Sequence, residues 1–497
     1  MSDFMTQIQN QEIVFSENGA IMNKTSGSKL VDMNFMIPTL RKKALRKQYA
    51  SLYKDFAQIY NENNEYALRW LLYSRDARCG IGERIIFRAL LVAIGQNDPL
   101  LLNKILTLDI QEFGRFDDYV SIYKLVDNKS KDLIVDKIRI QLEKDLLNID
   151  KNVSLLAKWL PSAQTSSKSQ RRLAETLAKK LGMPIKAYRK MLSALRKASN
   201  VVETKMCLNE WSDIVYSHVP SKANLKYDKA FLKHDKERRL EYINDVMNGK
   251  TKVNTSVLFP SDIVNSYCSL YHVDQSLENA WNNLKVFDGF KDTLVVRDGS
   301  GSMLSCIPGT KMRALDVANA LTLYCCQNNT GQYKNKFITF SSRPQVVDIS
   351  GCETLNRKLI KLNTYDDFTN TNIKAVFDII LNTALANSAS QEELPHAVLI
   401  ISDMEFDSCS SKNHKTLMRQ ISERWKEEGY EMPKLIFWNV NSRTNGIPIT
   451  QDKSGTVLLS GYSQNLLEMA MSSKTDPLEI LLEKLSDPRY DCVKSIL

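Results

Sequence analysis

Thr293-Leu-Val-Val-Arg-Asp-Gly-Ser-Gly-Ser-Met303 carries the change from one kind of chain to another. The apolar run 293–296 predicts a buried strand, and it continues directly into Asp298, Ser300 and Ser302, spaced by two with glycines between. A tight loop of this composition turns one carboxylate and two hydroxyls toward a common point. These are hard oxygen donors, suited to Mg2+ or Mn2+ in octahedral geometry rather than to zinc. The D-x-S-x-S string is short and Ser/Gly loops after strands are common, so its surroundings decide what it is.

From Asp292 onward, apolar runs of a few residues alternate with longer amphipathic stretches: 293–296, 311–327, 337–340, 373–382, Ala397–Ser402, 412–428 and 435–440. Strands alternating with helices predict a parallel, doubly wound sheet covered on both faces, with ligands in the crevice beyond the carboxyl ends of its strands. The run Ala397–Ser402 ends in Asp403, and the loop Asp366-Asp-Phe-Thr-Asn-Thr-Asn372 precedes a helix at Ile373. Together the three loops resemble the metal-ion-dependent adhesion site of von Willebrand factor A domains. The resemblance implies Asp298, Ser300 and Ser302 as ligands from the first loop, Thr371 from the second and Asp403 from the third. Thr369, two residues away in a similar setting, competes with Thr371. Such a site leaves a position to water or to an acidic group of a protein partner, which makes it a binding device rather than a catalyst.

Residues 40–285 place apolar and charged positions at helical spacing, broken at Gly80-Ile-Gly82, Asn97-Asp-Pro99 and Gly182-Met-Pro184. Tyr66-Ala-Leu-Arg-Trp-Leu-Leu-Tyr73 and Arg84-Ile-Ile-Phe-Arg-Ala-Leu-Leu91 read as successive amphipathic helices, which predicts stacked helix pairs of a solenoid, with an irregular bundle still open. The expected organisation is an N-terminal arm, 1–37, an all-α helical-repeat domain, 38–290, and the α/β domain, 291–497.

The chain of 497 residues carries a net charge of +10, and that excess is local. Residues 151–200 hold twelve Lys or Arg against one acid, Glu175, so the remainder is nearly neutral. An excess confined to a tenth of the length points to a polyanion site. Its cations are Lys158, Lys168, Arg171, Arg172, Lys179, Lys180, Lys186, Arg189, Lys190, Arg196 and Lys197, with Lys151 just outside the set; Trp159 and Tyr188 lie between them. Lysine and arginine neutralise phosphates and aromatic rings stack on unpaired bases, which suits RNA, although charge runs are commonly solvated helix faces.

Further strings carry a second resemblance: Glu17-Asn-Gly-Ala20 with Thr25-Ser-Gly27, Arg75-Asp-Ala-Arg-Cys-Gly-Ile-Gly-Glu-Arg84, Phe113-Gly-Arg-Phe-Asp-Asp118, Leu156-Ala-Lys-Trp-Leu-Pro161, Tyr188-Arg-Lys-Met-Leu-Ser193, Val219-Pro-Ser-Lys-Ala223 and His234-Asp-Lys-Glu-Arg238. They resemble TROVE proteins, the family of the Ro autoantigen, and in particular a Ro-like group of plants, large DNA viruses and phages. The resemblance implies a HEAT-like helical ring beside the A domain. It also implies a ribonucleoprotein component whose ring binds small structured RNAs outside and single-stranded ends of misfolded RNAs in its hole. A metal-dependent protein-interaction scaffold, associated with a viral particle and without a direct RNA role, is the rival expectation.

Arg75, Asp76, Arg78, Glu83 and Arg84 are balanced in charge, as are Arg115, Asp117 and Asp118, so ion pairs and helix caps are their expected roles. Trp159 and Tyr188 are expected in the core, and His218 and His234 have no partner at zinc-ligand spacing. No nucleophile elbow or phosphate loop occurs, and the Asp-Ser-Ser-Thr-Asp set is poor in charge for a nuclease, so no enzyme activity is expected. No secretory leader or run of about 18 apolar residues is present, and the nine cysteines form no C-x-x-C pair, which together predict a cytosolic chain with reduced thiols and no membrane contact.

Overall fold

The computed structural model describes residues 13–497 except 254, 256–257, 268–271, 287–289, 342, 367–371, 407–416, 449–455, 471–473 and 475. Strands β1 (Ile13–Phe15) and β2 (Ile21–Asn23) form an antiparallel hairpin. β3 (Thr293–Asp298), β4 (Lys336–Phe340), β5 (Val346–Asp348), β6 (Ala397–Ser402), β7 (Lys434–Asn439) and β8 (Thr456–Ser460) make one sheet in the order β5-β4-β3-β6-β7-β8. Every residue of β3 and β6 is buried, which is why both read as continuous apolar runs rather than as alternation.

The sheet is mixed where the sequence predicted a parallel one. β5 runs antiparallel to β4, because the connection from Phe340 to Val346 is far shorter than the dozen or more residues a parallel crossover needs. β3 lies between β4 and β6 and is parallel to both, so the chain's path reverses direction across the sheet at β3. Arg297 stands opposite Ile401 in that register, which brings the exits of β3 and β6 side by side at the crevice such a reversal opens.

Helices fill the chain from Lys29–Phe35 to Gln275–Asn282. They pack largely on neighbours in sequence: Tyr49–Glu62 on Asn64–Arg75 and Arg84–Asn97, Pro99–Thr107 on Asn128–Leu147, Lys168–Lys180 on Ile185–Ala198, and Ser221–His234 on Lys236–Met247. Ion pairs lock the loops between them. Asp118, fully buried, accepts from Arg75 Nε at 2.9 Å, Arg88 Nε at 2.6 Å and the Arg115 backbone N–H at 3.0 Å. A Cβ on Gly114 would lie 2.2 Å from the Asp118 carboxylate, so only glycine lets that loop close.

The element type changes at β3, whereas helix Ile37–Leu45 runs through the expected boundary at 37/38, and packing crosses both positions. Asn439 donates to Phe35 O at 3.0 Å, and helices Lys29–Phe35 and Pro477–Leu485 both lie against β8. The C-terminal segment returns to the helical region, where Arg69 donates to Leu485 O at 2.9 Å and Arg489 pairs with buried Asp76 at 2.5 Å. One apolar core therefore runs from Ala20 to Ile496, Cys325 and Cys326 included. Residues 202–231 contribute a small second core around Tyr216 and Phe231. Among the described residues no helix is long and apolar enough to cross a membrane.

Candidate functional site

At the carboxyl edge of β3, Asp298 is fully buried and its two oxygens are held apart in role. Oδ1 accepts the Ser300 backbone N–H at 2.9 Å, and Oδ2 accepts the Ser402 hydroxyl at 2.6 Å. The hydroxyls of Ser300 and Ser302 lie 3.0 Å apart. Gly299 permits this turn because a Cβ there would approach Arg297 Nη2 to 2.8 Å. Arg297, itself fully buried, donates to Asn319 Oδ1 at 2.7 Å and pairs with Asp366, which anchors the start of the second loop beside the first. Thr371 and its competitor Thr369 lie outside the described residues.

Asp403 follows β6 and is also fully buried. Its Oδ1 accepts the Glu405 backbone N–H at 3.3 Å, while Oδ2 has no hydrogen-bond donor. Burial first, and then the negative charge of Asp298, push the Asp403 carboxyl up to about 7; a hydrogen bond from Ser302 works against both. Burial likewise pushes Asp298 up. The next residue, Met404, is fully buried with φ of 63°, a left-handed backbone that costs an unbranched side chain roughly 1 kcal/mol. Strain, an orphaned carboxylate oxygen and two mutually repelling acids thus gather at the adjoining exits of β3 and β6. A hard divalent cation answers all the electrostatic terms, and the donor set of two carboxylates and two hydroxyls has the chemistry Mg2+ or Mn2+ prefers. Among the described residues no group of three or more His, Cys, Asp or Glu side chains forms a metal cluster, so the set depends on its hydroxyls.

Glu405, two residues after Asp403, has another task. Buried, it accepts backbone N–H groups from Glu17 at 2.7 Å, Arg443 at 2.7 Å and Thr444 at 2.8 Å. It bolts the N-terminal hairpin and the loop after β7 onto the site.

The basic segment divides into two kinds of cation. Helices Lys168–Lys180 and Ile185–Ala198 bury Leu173, Ala174, Leu177, Tyr188, Leu192 and Leu195 between and beneath them. Their outer faces leave Lys168, Arg171, Arg172, Lys179, Lys180, Lys186, Arg189, Lys190 and Lys197 exposed, with Lys180 paired to Asp132 at 2.8 Å. Arg196 departs from the expectation of a free cation: it donates to Ala157 O, Leu160 O and Ser162 Oγ, each at 2.8 Å. Lys158 departs in part, since it pairs with Glu203 at 3.1 Å. Tyr188 is core, its hydroxyl donating to Pro161 O at 3.1 Å, and Trp159 is half-buried under the Arg115 guanidinium, 5.2 Å from the ring centre.

Sequence reasoning missed a cavity of about 750 Å³ beside Trp159. Arg78, Arg115, Lys158, Lys205, Lys222 and Lys226 line it, with Phe116 and Tyr227, against the single acid Glu203. Its walls come from segments more than a hundred residues apart, so no local charge count finds it. One signal was present: Lys222 and Lys226 stand four apart at the start of helix Ser221–His234, whose N-terminus no side chain caps.

Residues 292–486 match the family model of a domain of unknown function, DUF7788, and residues 117–297 match a second domain of unknown function, DUF2828. The two models meet at β3. The chain is 29% identical over 510 residues to the uncharacterized protein L728 of Acanthamoeba polyphaga mimivirus, covering 95% of this chain and 87% of that one. Among solved structures it aligns with the Ro (RSR) protein of Deinococcus radiodurans over 90% of this chain and 93% of that one, at 13% identity and a TM-score of 0.34. At that score the alignment supports no inference about fold or function.

Proposed function

We propose that this chain is an RNA-binding, Ro-like ribonucleoprotein component that acts by binding rather than by catalysis, in the cytosol. The observation that carries the reading is the exposed basic face of helices Lys168–Lys180 and Ile185–Ala198, nine cations over a packed Leu/Ala/Tyr interior. Cations in that arrangement track a phosphate backbone without reading sequence. The cavity beside Trp159 adds a place where an unpaired segment of RNA finds cations and aromatic edges together. In this reading the helical region is a TROVE-type helical-repeat domain and the sheet domain is of the von Willebrand A type. Asp298, Ser300, Ser302, Thr371 and Asp403 hold Mg2+ or Mn2+, and a partner's acidic group completes the coordination.

The test is fluorescence anisotropy of nucleic-acid-free protein with a short RNA ending in a single-stranded 3′ segment, across a salt series. Replacing Arg171, Arg172, Lys179 and Lys180 with Gln is expected to weaken binding and to flatten its salt dependence by about 0.7 for each phosphate no longer neutralised. An unchanged slope removes this face from the RNA site. The rival, a metal-dependent protein scaffold, is favoured by the pair of buried carboxylates at the sheet edge. Absence of RNA binding at low salt selects it.

A further inference from the structure

We infer that Glu17 of the N-terminal hairpin is a further ligand of the cation at Asp403, and that Arg443 is the built-in competitor for its place. The inference rests on the metal reading above. Arg443 Nη2 lies 2.6 Å from Glu17 Oε2 and 3.7 Å from Asp403 Oδ2, so one guanidinium bridges the two carboxylates. The second contact is too long for a hydrogen bond, and Asp403 Oδ2 stays without a donor in a fully buried setting. Two acids therefore converge on a point that requires positive charge, and a flexible, one-third exposed side chain supplies it incompletely.

The scaffold around that point is fixed independently of Arg443's side chain. Glu405 holds the backbone N–H groups of Glu17 and Arg443 alike, each at 2.7 Å. Asn18 Nδ2 donates to Glu405 O at 2.8 Å, and Asn23 and Ile447 exchange backbone hydrogen bonds at 2.9 and 2.8 Å. Glu17 is thus carried on a hairpin pinned at both ends, half-exposed and held through Arg443 at the edge where Asp403 follows β6. A divalent ion entering beside Asp403 repels the guanidinium, which swings to solvent and leaves Glu17 to the metal. An acidic group of a partner then competes with Glu17 for the same coordination position.

Mn2+ alone is the probe, titrated into the full chain and followed by electron paramagnetic resonance and by water-proton relaxation. Glu17→Gln is expected to weaken Mn2+ binding about tenfold, through the loss of one charged ligand, and to raise the relaxivity of the bound ion as water takes the vacated position. Arg443→Gln is expected to tighten binding by about the same factor, since it removes the competing charge. Damage to the fold would move both variants in one direction; opposite directions are the signature of ligand and competitor. The inference is overturned if the wild type binds Mn2+, Asp298→Ala does not, and the two variants either match the wild type or shift together. If the wild type binds no Mn2+, or Asp298→Ala binds it equally well, the metal reading itself fails and this inference falls with it.

Discussion

Arg196→Ala separates a structural cation from a phosphate-binding one within a single helix. Its guanidinium makes three hydrogen bonds of 2.8 Å, two of them to the carbonyls of Ala157 and Leu160 in the turn that ends helix Leu156–Trp159. Burial lowers its pKa, with the Tyr188 hydroxyl working against that. At roughly 1 kcal/mol net for each bond in this half-buried setting, the substitution costs about 3 kcal/mol. That cost falls on one local unit, residues 156–162, so hydrogen exchange is the direct assay. The Leu160 N–H, bonded to Leu156 O at 3.1 Å, is expected to exchange on the order of a hundredfold faster in the variant. RNA affinity, measured by anisotropy under the same salt, is expected to stay within about twofold, whereas Arg189→Ala, an exposed neighbour two turns earlier, loses affinity with no change in exchange. Unchanged exchange at Leu160 together with a loss of RNA affinity refutes the assignment and returns Arg196 to the binding face.

Asp298→Ala is expected to abolish Mn2+ binding, read by calorimetry, while leaving RNA affinity intact; collapse of RNA affinity in a folded variant sinks the two-site arrangement. Arg489→Ala leaves the Asp76 carboxylate buried with Tyr490 and the Arg78 backbone N–H as its remaining partners, which is expected to lower stability by about 3 kcal/mol in urea denaturation. Hydrogen bonding from Arg69 and Lys494 holds the Asp491 carboxyl below its ordinary value of 3.8. A depressed carboxylate pKa contributes stability that is present above the unfolded value and lost as pH falls through the folded one. The pairing is therefore expected to weaken only as pH falls below about 4, with the Asp491 carboxyl titrating below 3.8 when followed by NMR, and a midpoint at or above 3.8 contradicts it.

The sheet was legible where its strands are buried on both faces, because β3 and β6 carry no polar alternation to confuse them. β5 and β8 were not singled out. β5 is an edge strand of three residues with one buried side chain, and its period-2 pattern is too short to register. The placing of Asp298, Ser300 and Ser302 in one tight loop was legible because spacing within a loop is a property of sequence, and that of Asp403 because it directly follows a buried apolar run. Glu17 and Arg443 were not. Their meeting depends on Glu405 binding two backbone segments that lie 388 and 38 residues away, and backbone donors have no signature in the side-chain alphabet.

The basic segment shows the same division from the other direction. Composition located the cations, yet it treated Arg196 and Arg189 alike, although one faces the carbonyls at a helix end and the other faces water. What separates them is position along the helix: seven residues apart, they share a face to within about 20°, but Arg196, one residue after the buried Leu195, lies where the turn 157–162 packs and its long planar side chain reaches those carbonyls, while Arg189, two turns earlier, is left to solvent. Charge counts therefore bound how many phosphates this region can meet, and the packing of neighbouring segments decides which cations are left to meet them. With Arg196 and Lys158 committed within the protein and Lys180 shared with Asp132, the salt dependence of RNA binding is expected to reflect the eight remaining exposed cations at most, not the eleven that composition offers. A slope that requires more phosphates than these cations can neutralise places part of the RNA in the cavity beside Trp159, whose arginines and lysines, Lys158 apart, are drawn from elsewhere in the chain.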